Sequence, residues 1–417
     1  MSGYRVLYLS SSIGMGHVSK DLAIAGELRR LKPGTEILWV AGHPASDVLR
    51  DAGEVVLAES EQWQGASRIA ERSVRDGVLD LVRYVYRSLP AWAANALRFR
   101  NIMKEQDVDL AIGNEAYEVD IPLVLGLLRP PAPFVMIFDF VATDSMTSST
   151  VDRVGAWLLN ALWTLDRRVY RGSKHSAIFI GEAADIPDKR FGWALPNRRR
   201  HALDCYDVVG HVVRFRPEQY ADRAALRRRL GYGGGPLVIG SAGGTAIGRE
   251  LLELCAAAAP ALRKVLPGLQ MVLVCGPRIR VDSVRAPEGV RVLGFVPRLF
   301  EHFACCDAAV VQCGASSTTE LAALGTPFVY APIEGHFEQE VVARRLARYG
   351  VGRRISAQST GPDELAQAIL AEVGRKSRTA VMPLQGATEA ARHILKKLER
   401  RRRSRKAGAG CNDKSGS

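Results

Sequence analysis

Cysteine is scarce: seven in 417 residues, scattered along the chain with no CxxC pair. That excludes a disulfide framework and a paired-cysteine zinc site, and the adjacent Cys305 and Cys306 cannot reach one metal with useful geometry. Long apolar runs are missing too. No stretch approaches about 18 uninterrupted apolar residues, so no membrane-spanning helix is expected, and the opening MSGYRVLYLS enters a strand instead of a signal sequence. Together these absences read as a reducing, cytoplasmic compartment. Acid is the shorter of the two charges, 44 Asp and Glu against 57 Lys and Arg, for a net charge of +13. Ten of the basic residues fall from Arg392 onward, opposed there only by Glu399 and Asp413. The excess is therefore a tail, KKLERRRRSRK, and not a basic face. Such a tail suits an anionic membrane surface, with a solvated, disordered end as the plainer reading. Nucleic acid is disfavoured, because only the tail speaks for it.

What remains is globular in character, 47% hydrophobic and 24% charged, at a length that suggests two or three domains. An apolar run at 5–10 leads into the glycine-punctuated turn SSIGMGH. Leu22, Ala25, Leu28 and Leu31 then recur at helical spacing, Lys32-Pro33-Gly34 stops the helix, and a second run covers 36–40. Strand, helix and strand in so short a span make a βαβ unit, hence a parallel sheet with right-handed crossovers. Runs at 109–112 and 134–138 extend it. Ahead of them, roughly 67–104 reads as helical, mixing Arg with Trp63, Tyr84, Tyr86 and Trp92; a surface helix pair is expected, or a cover for a hydrophobic acceptor or lipid. The Arg- and Pro-rich stretch 188–232 reads as linker. The alternation then restarts, with strands at 237–240, 270–275, 291–294, 307–312 and 327–330 and helices at 248–265 and 316–324. The fold class is α/β, two doubly wound Rossmann-like domains facing across a cleft. Residues 1–212 form the first, 213–235 an interdomain linker and 236–376 the second. A helical segment, 377–400, and a basic disordered tail, 401–417, follow.

Open parallel sheets bind ligands at the carboxyl ends of their strands, and three loops there stand out. Gly14-Met15-Gly16-His17 imitates a dinucleotide fingerprint, but the second strand ends Trp39-Val40-Ala41-Gly42-His43 without the acid such a site needs, so NAD is disfavoured. His17 instead stands where a base would face the cleft, a capping or packing histidine being the alternative. Gly240-Ser-Ala-Gly-Gly-Thr245 can bring backbone N–H groups to an anion, yet lacks the Lys-Ser/Thr ending of a P-loop. The third loop is the richest: Gly314, Ala315, Ser316 and Ser317 open a helix after a strand, a seat for a diphosphate. One turn on, Glu320 can accept from a vicinal diol such as a ribose, or close a capping box with Ser317. The polar loop 334–340 precedes a helix at 341–349, and its Gln339 can hold sugar hydroxyls.

At this point a resemblance becomes specific. The run 294–350 resembles the donor-binding half of GT-B glycosyltransferases, and is similar to both the UDP-glycosyltransferase superfamily and the MurG-like N-acetylglucosaminyltransferases of family 28. The matching residues are Phe295-Val296-Pro297, Gly314 with Ser317 and Glu320, Gly325-x-Pro327, and Glu338-Gln339. The resemblance implies that the backbone of Val296 reads the base and that the Gly314, Ala315 and Ser316 amides, with Ser317, hold the diphosphate. Glu320 would bind the ribose and Gln339 the sugar, while Ser241, Gly243 and Gly244 close on the phosphates from the other side. His17 would be the general base or orient the acceptor. Its partner acid is taken as Glu115, with Asp139 and Asp144 as alternatives. Gln312 departs from the histidine that plant-type members carry. No DxD-like pair appears in the donor region, which agrees with a metal-independent reaction and no cofactor beyond the donor. The expectation is an inverting transfer from a nucleoside-diphosphate sugar, UDP-sugar first, to a hydroxyl of a lipid or secondary-metabolite acceptor. A catalytically silent GT-B partner protein and a non-hydrolysing UDP-sugar 2-epimerase are the alternatives.

Overall fold

The computed structural model describes residues 3–11, 15–64, 74–75, 78–79, 81–146, 149–244, 248–375 and 382–412. Ser12–Gly14 of the first glycine loop and Thr245 of the second lie outside them. In chain order the strands are β1 (Arg5–Ser10), β2 (Glu36–Ala41), β3 (Val55–Val56), β4 (Val74–Arg75), β5 (Val78–Leu79), β6 (Leu110–Asn114), β7 (Phe134–Phe138), β8 (Ser176–Phe179) and β9 (Tyr206–Val208). The second half adds β10 (Leu237–Ser241), β11 (Gln270–Val274), β12 (Val290–Leu293), β13 (Ala308–Gln312), β14 (Phe328–Ala331) and β15 (Arg353–Arg354). Two parallel sheets result, ordered β3-β2-β1-β6-β7-β8-β9 and β12-β11-β10-β13-β14-β15. Each is apolar on both faces. Leu7, Leu9, Val40 and Met136 point into one core of the first domain, while Val6, Tyr8, Trp39 and Val135 point into the other. The second sheet repeats this with Ile239 and Val311 against Val238 and Val310. Side chains alternating between two buried faces explain why these strands read as unbroken apolar runs.

Both strand orders reverse once, between β1 and β6 and between β10 and β13. Crossovers leave those neighbouring strands in opposite directions, so a crevice opens at their carboxyl ends. The chain passes between domains across residues 213–214. Val209 and Val212 still belong to the first core, whereas Phe215 stacks on Phe300 at 4.6 Å. Three further contacts join the domains. A Cβ placed on Gly16 would sit 2.4 Å from Oγ of Ser316. Phe140 meets Phe337 edge-on at 5.1 Å. Arg345, Arg348 and Tyr349 clasp Glu182 and Asp185, with Arg348 2.8 Å from Asp185.

Four expectations need correction. Of the helical reading of 67–104, residues 67–73 lie outside the described residues, 74–75 and 78–79 form the antiparallel pair β4–β5 instead, and the helix runs from Leu81 to Glu105. The linker reading of 188–232, and of 213–235, hid ordered elements. The helix Arg198–Cys205 and β9 complete the first sheet, started by the Asn197 side chain accepting from Arg200 N–H at 3.0 Å. The helix Arg223–Arg229, capped by Asp222, puts Leu226 into the second core, and Arg227 pairs with Asp307 at 2.7 Å. Arginines of this stretch are partners of carboxylates and carbonyls. The loop expected at 334–340 is already helical from Phe337, so Glu338 and Gln339 stand in a first turn. Finally, the tail is not disordered from 401: one helix runs from Gly386 to Asn412. Ala390, Ala391, Ile394 and Leu398 return to the first domain's core, and Arg401 donates to the Val108 carbonyl at 3.2 Å. Among the described residues, no helix is long and apolar enough to cross a membrane.

Candidate functional site

The crevice between the domains is a cavity of about 240 Å³, and the elements lining it come from both switch points. From the second domain, Ser241, Gly243 and Gly244 follow β10, Val296 follows β12, and Gly314, Ala315, Ser316, Ser317 and Glu320 follow β13; Gln339 completes that wall. From the first domain, His17 faces them. Every residue of the expected donor site is thus brought together.

The helix Ala315–Leu324 begins at Gly314 with no side-chain cap, so its first-turn N–H groups point into the cavity. The capping box that was the alternative for Glu320 does not form, because the N-cap is Gly314 and Ser317 lies inside the first turn. The helix Met15–Leu31 starts against the same space, where Gly16 meets Ser316. Two helix N-termini converging there favour an anion. Opposite, Gly243 takes φ +72°, and its N–H donates to Ser241 Oγ at 3.3 Å. Gln312 stands below. Oriented to satisfy both neighbours, its amide donates to the Ala242 carbonyl at 2.6 Å and accepts from Gly248 N–H at 3.3 Å. Gln339 spends its Oε1 on the Ile333 N–H at 2.8 Å, leaving its amide NH₂ for a ligand.

Glu320 is buried, and burial pushes its carboxyl up to about 7, against the pull of Arg214, whose Nε lies 3.8 Å away. Arg214 was missed in the sequence. It lies over the Phe300 ring and donates to the Pro297 carbonyl, beside Val296. Nothing in its Arg-rich surroundings marks it out; only the chain crossing between domains puts it there.

On the first-domain wall, His17 sits between two carboxylates. Nδ1 lies 3.2 Å from Asp139 Oδ2 and 3.3 Å from Asn114 Oδ1, and Nε2 lies 3.7 Å from Glu115. Asn114 is held in turn, donating to Asp21 at 2.7 Å, and Asp21 also accepts from Tyr8 and Ser10. Glu115 follows β6 at φ +48°, a left-handed backbone rare outside glycine. The structure thus brings both Glu115 and Asp139 to His17 and puts Asp139 on the ring nitrogen that orients an imidazole. Asp144 is elsewhere, paired with Arg198 and Lys189. Lys20, one helical turn beyond His17, donates to Asp139. It too was missed, although its i+3 spacing put it on the same helix face.

Burial pulls the His17 imidazole down, but Glu115 and Asp139 outweigh it and lift the ring to about 9. Glu115 moves up because burial outweighs the attraction of His17. Asp139 is buried as well, yet Lys20 and His17 hold it well below the usual carboxylate range. An imidazole held between two acids on one wall thus faces a helix N-terminus and a buried carboxyl on the other.

That arrangement has relatives. Residues 238–398 match the model of the glycosyltransferase family 28 C-terminal domain. Over 408 residues the chain is 30% identical to the UDP-N-acetylglucosamine–N-acetylmuramyl-(pentapeptide) pyrophosphoryl-undecaprenol N-acetylglucosamine transferase of Mycobacterium sp. (strain JLS), covering 94% of this chain and 95% of that one. The chain belongs to the MurG-like glycosyltransferases of family 28. It is also 26% identical to an uncharacterized glycosyltransferase of Methanopyrus kandleri, over 47% of this chain and 58% of the relative. Of solved structures, the glycotransferase of kitacinnamycin superposes with a TM-score of 0.60 at 15% identity, covering 96% and 97% of the two chains. MurG of Acinetobacter baumannii gives 0.53 at 19%, covering 95% and 99%. Such likenesses carry the GT-B fold. In this family 28 glycosyltransferase the donor-side residues expected from the sequence, with His17, line the cleft between the domains, and Glu115 stands 3.7 Å from His17 without lining the cavity.

Proposed function

We propose that the enzyme moves a sugar from a UDP-sugar to a hydroxyl of a lipid-borne acceptor, with inversion and without a metal ion or further cofactor. The observation that carries this reading is the pairing of His17 with the uncapped N-terminus of Ala315–Leu324 across one cavity. Breaking the bond between sugar and diphosphate puts charge on the leaving phosphate. Helix N-terminal amides stabilise that charge, so a divalent ion is not required for it. Glu320 favours a ribonucleoside, Val296 supplies backbone for the base, and Gln339 offers its NH₂ to the sugar. His17, oriented at Nδ1 by Asp139, takes the acceptor proton at Nε2, and a single displacement turns an α-linked donor into a β-linked product. The ring has to shed its proton first, so activity rises along an alkaline limb.

A lipid surface is favoured over a free metabolite by the first domain's exterior. Tyr86, Leu89 and Leu97 stand exposed on the helix Leu81–Glu105, and Val151, Val154 and Leu158 on Thr150–Trp163, which packs beside it. Exposed apolar side chains at helical spacing suit a membrane face, and the basic end of the C-terminal helix adds attraction to anionic lipid. The relatives' printed donor and polyprenyl-diphosphate acceptor are the first pair to try, with EDTA present. The expected product is β-linked by its anomeric proton coupling, and His17→Ala lowers kcat by about 10²- to 10⁴-fold. An α-linked product, an unimpaired His17→Ala enzyme, or turnover that needs a divalent ion would overturn the proposal.

A further inference from the structure

Lys20 is 7% exposed, and its Nζ donates to Asp139 Oδ2, the same oxygen that lies 3.2 Å from His17 Nδ1. A buried lysine is retained only when paired, and this one is paired with the carboxylate that orients the base. We infer that Lys20 is a positioning residue of the transfer reaction, fixing Asp139 on the Nδ1 side of His17 so that Nε2 is left for the acceptor. The inference rests on the proposed function for its role in turnover, but not for its geometry.

Two arrangements compete for the ring. Asn114 Oδ1 is 3.3 Å from the same nitrogen, and Glu115 is 3.7 Å from the other, too far for a hydrogen bond. Without a cation beside it, Asp139 would be a buried carboxylate sharing one imidazole with Glu115, and both would hold the ring in its protonated, inactive form. Lys20 neutralises one of the two acids and repels the imidazolium. The charged and polar groups facing His17 are Lys20 and Asp21 on its own helix, Asn114 at the end of β6 and Glu115 just after it, and Asp139 after β7. Glu338 acts through Glu115. From the second domain, Ser316 closes over the same helix end. Behind the pair, a cavity of about 20 Å³ lies between Lys20 and Asp139 and the second-domain residues Ser316, Thr319 and Arg345, with His211 of the first domain also lining it.

The test is a pH titration of the His17 ring by nitrogen-15 NMR in the full chain, assigned with His17→Gln, for wild type, Lys20→Met and Lys20→Arg. Removing the cation is expected to raise the His17 midpoint by about one pH unit, and Lys20→Arg to restore most of it. The acid limb of kcat/KM moves by the same amount, with UDP affinity retained. Should Lys20→Met fail to fold, Lys20→Gln keeps a donor to Asp139 without the charge and gives the same comparison. An unchanged midpoint, or one displaced equally by Lys20→Arg, would overturn the inference. So would a loss of UDP affinity with the midpoint fixed, since Lys20 would then be a phosphate contact. The ring titration needs neither donor nor acceptor, so a chain that binds no UDP would sink the proposed function and leave this result readable.

Discussion

Glu320 shows how burial and function pull on one residue. Its carboxyl is pushed up to about 7 because it is buried, and Arg214 offsets that only in part. A ribose diol donates two hydrogen bonds, which a carboxylate accepts better than a carboxylic acid. With the folded-state value near 7, the acceptor form is lost as pH falls through neutrality and complete well above it. UDP affinity should therefore strengthen several-fold between about pH 6 and pH 8, and the dependence should disappear in Glu320→Gln; titration calorimetry at the two pH values checks both. At this scale the sequence was partly legible. His17, Glu320 and the 314–317 run sit beside glycine turns at strand ends, where pattern and chemistry coincide. Asp139 was visible only as one of several acids after strands, and choosing it over Asp144 required knowing which acid Arg198 and Lys189 already hold.

At the scale of elements, the donor loops depend on glycines that leave room for backbone. Gly276, at φ +74°, would place a Cβ 2.2 Å from the Gly243 carbonyl, so Gly276→Ala must displace the loop after β10. Gly231 has the same φ but open space around it. Each substitution is expected to destabilise by about 1–3 kcal/mol through the strained backbone. Only Gly276→Ala should also weaken UDP binding, by about tenfold. Thermal unfolding and UDP titration on the two variants separate strain from displacement. The regular elements were readable because both sheets are buried on both faces, which makes each strand an apolar run of the right length. The Arg-rich helices at 198–205 and 223–229 were not, since their charges are satisfied by partners distant in the sequence.

At the scale of the molecule, the cleft is defined by contacts that no local pattern announces. The C-terminal helix leaves the second domain and packs Ile394 and Leu398 against the first, and the clasp of Arg345 and Arg348 on Glu182 and Asp185 joins the domains on one flank. A basic run that composition alone marks as a tail begins as a structural part of the first domain. The cleft is read as a UDP-sugar site facing a histidine base, and the direct measurement is calorimetric titration of UDP, at about pH 8 with EDTA, into wild type and Glu320→Ala. Exothermic binding to wild type is expected, weaker in the variant by about 1–3 kcal/mol, the worth of a charge-assisted hydrogen bond. No binding, equal binding in the two proteins, or binding that returns only with a divalent ion would contradict it.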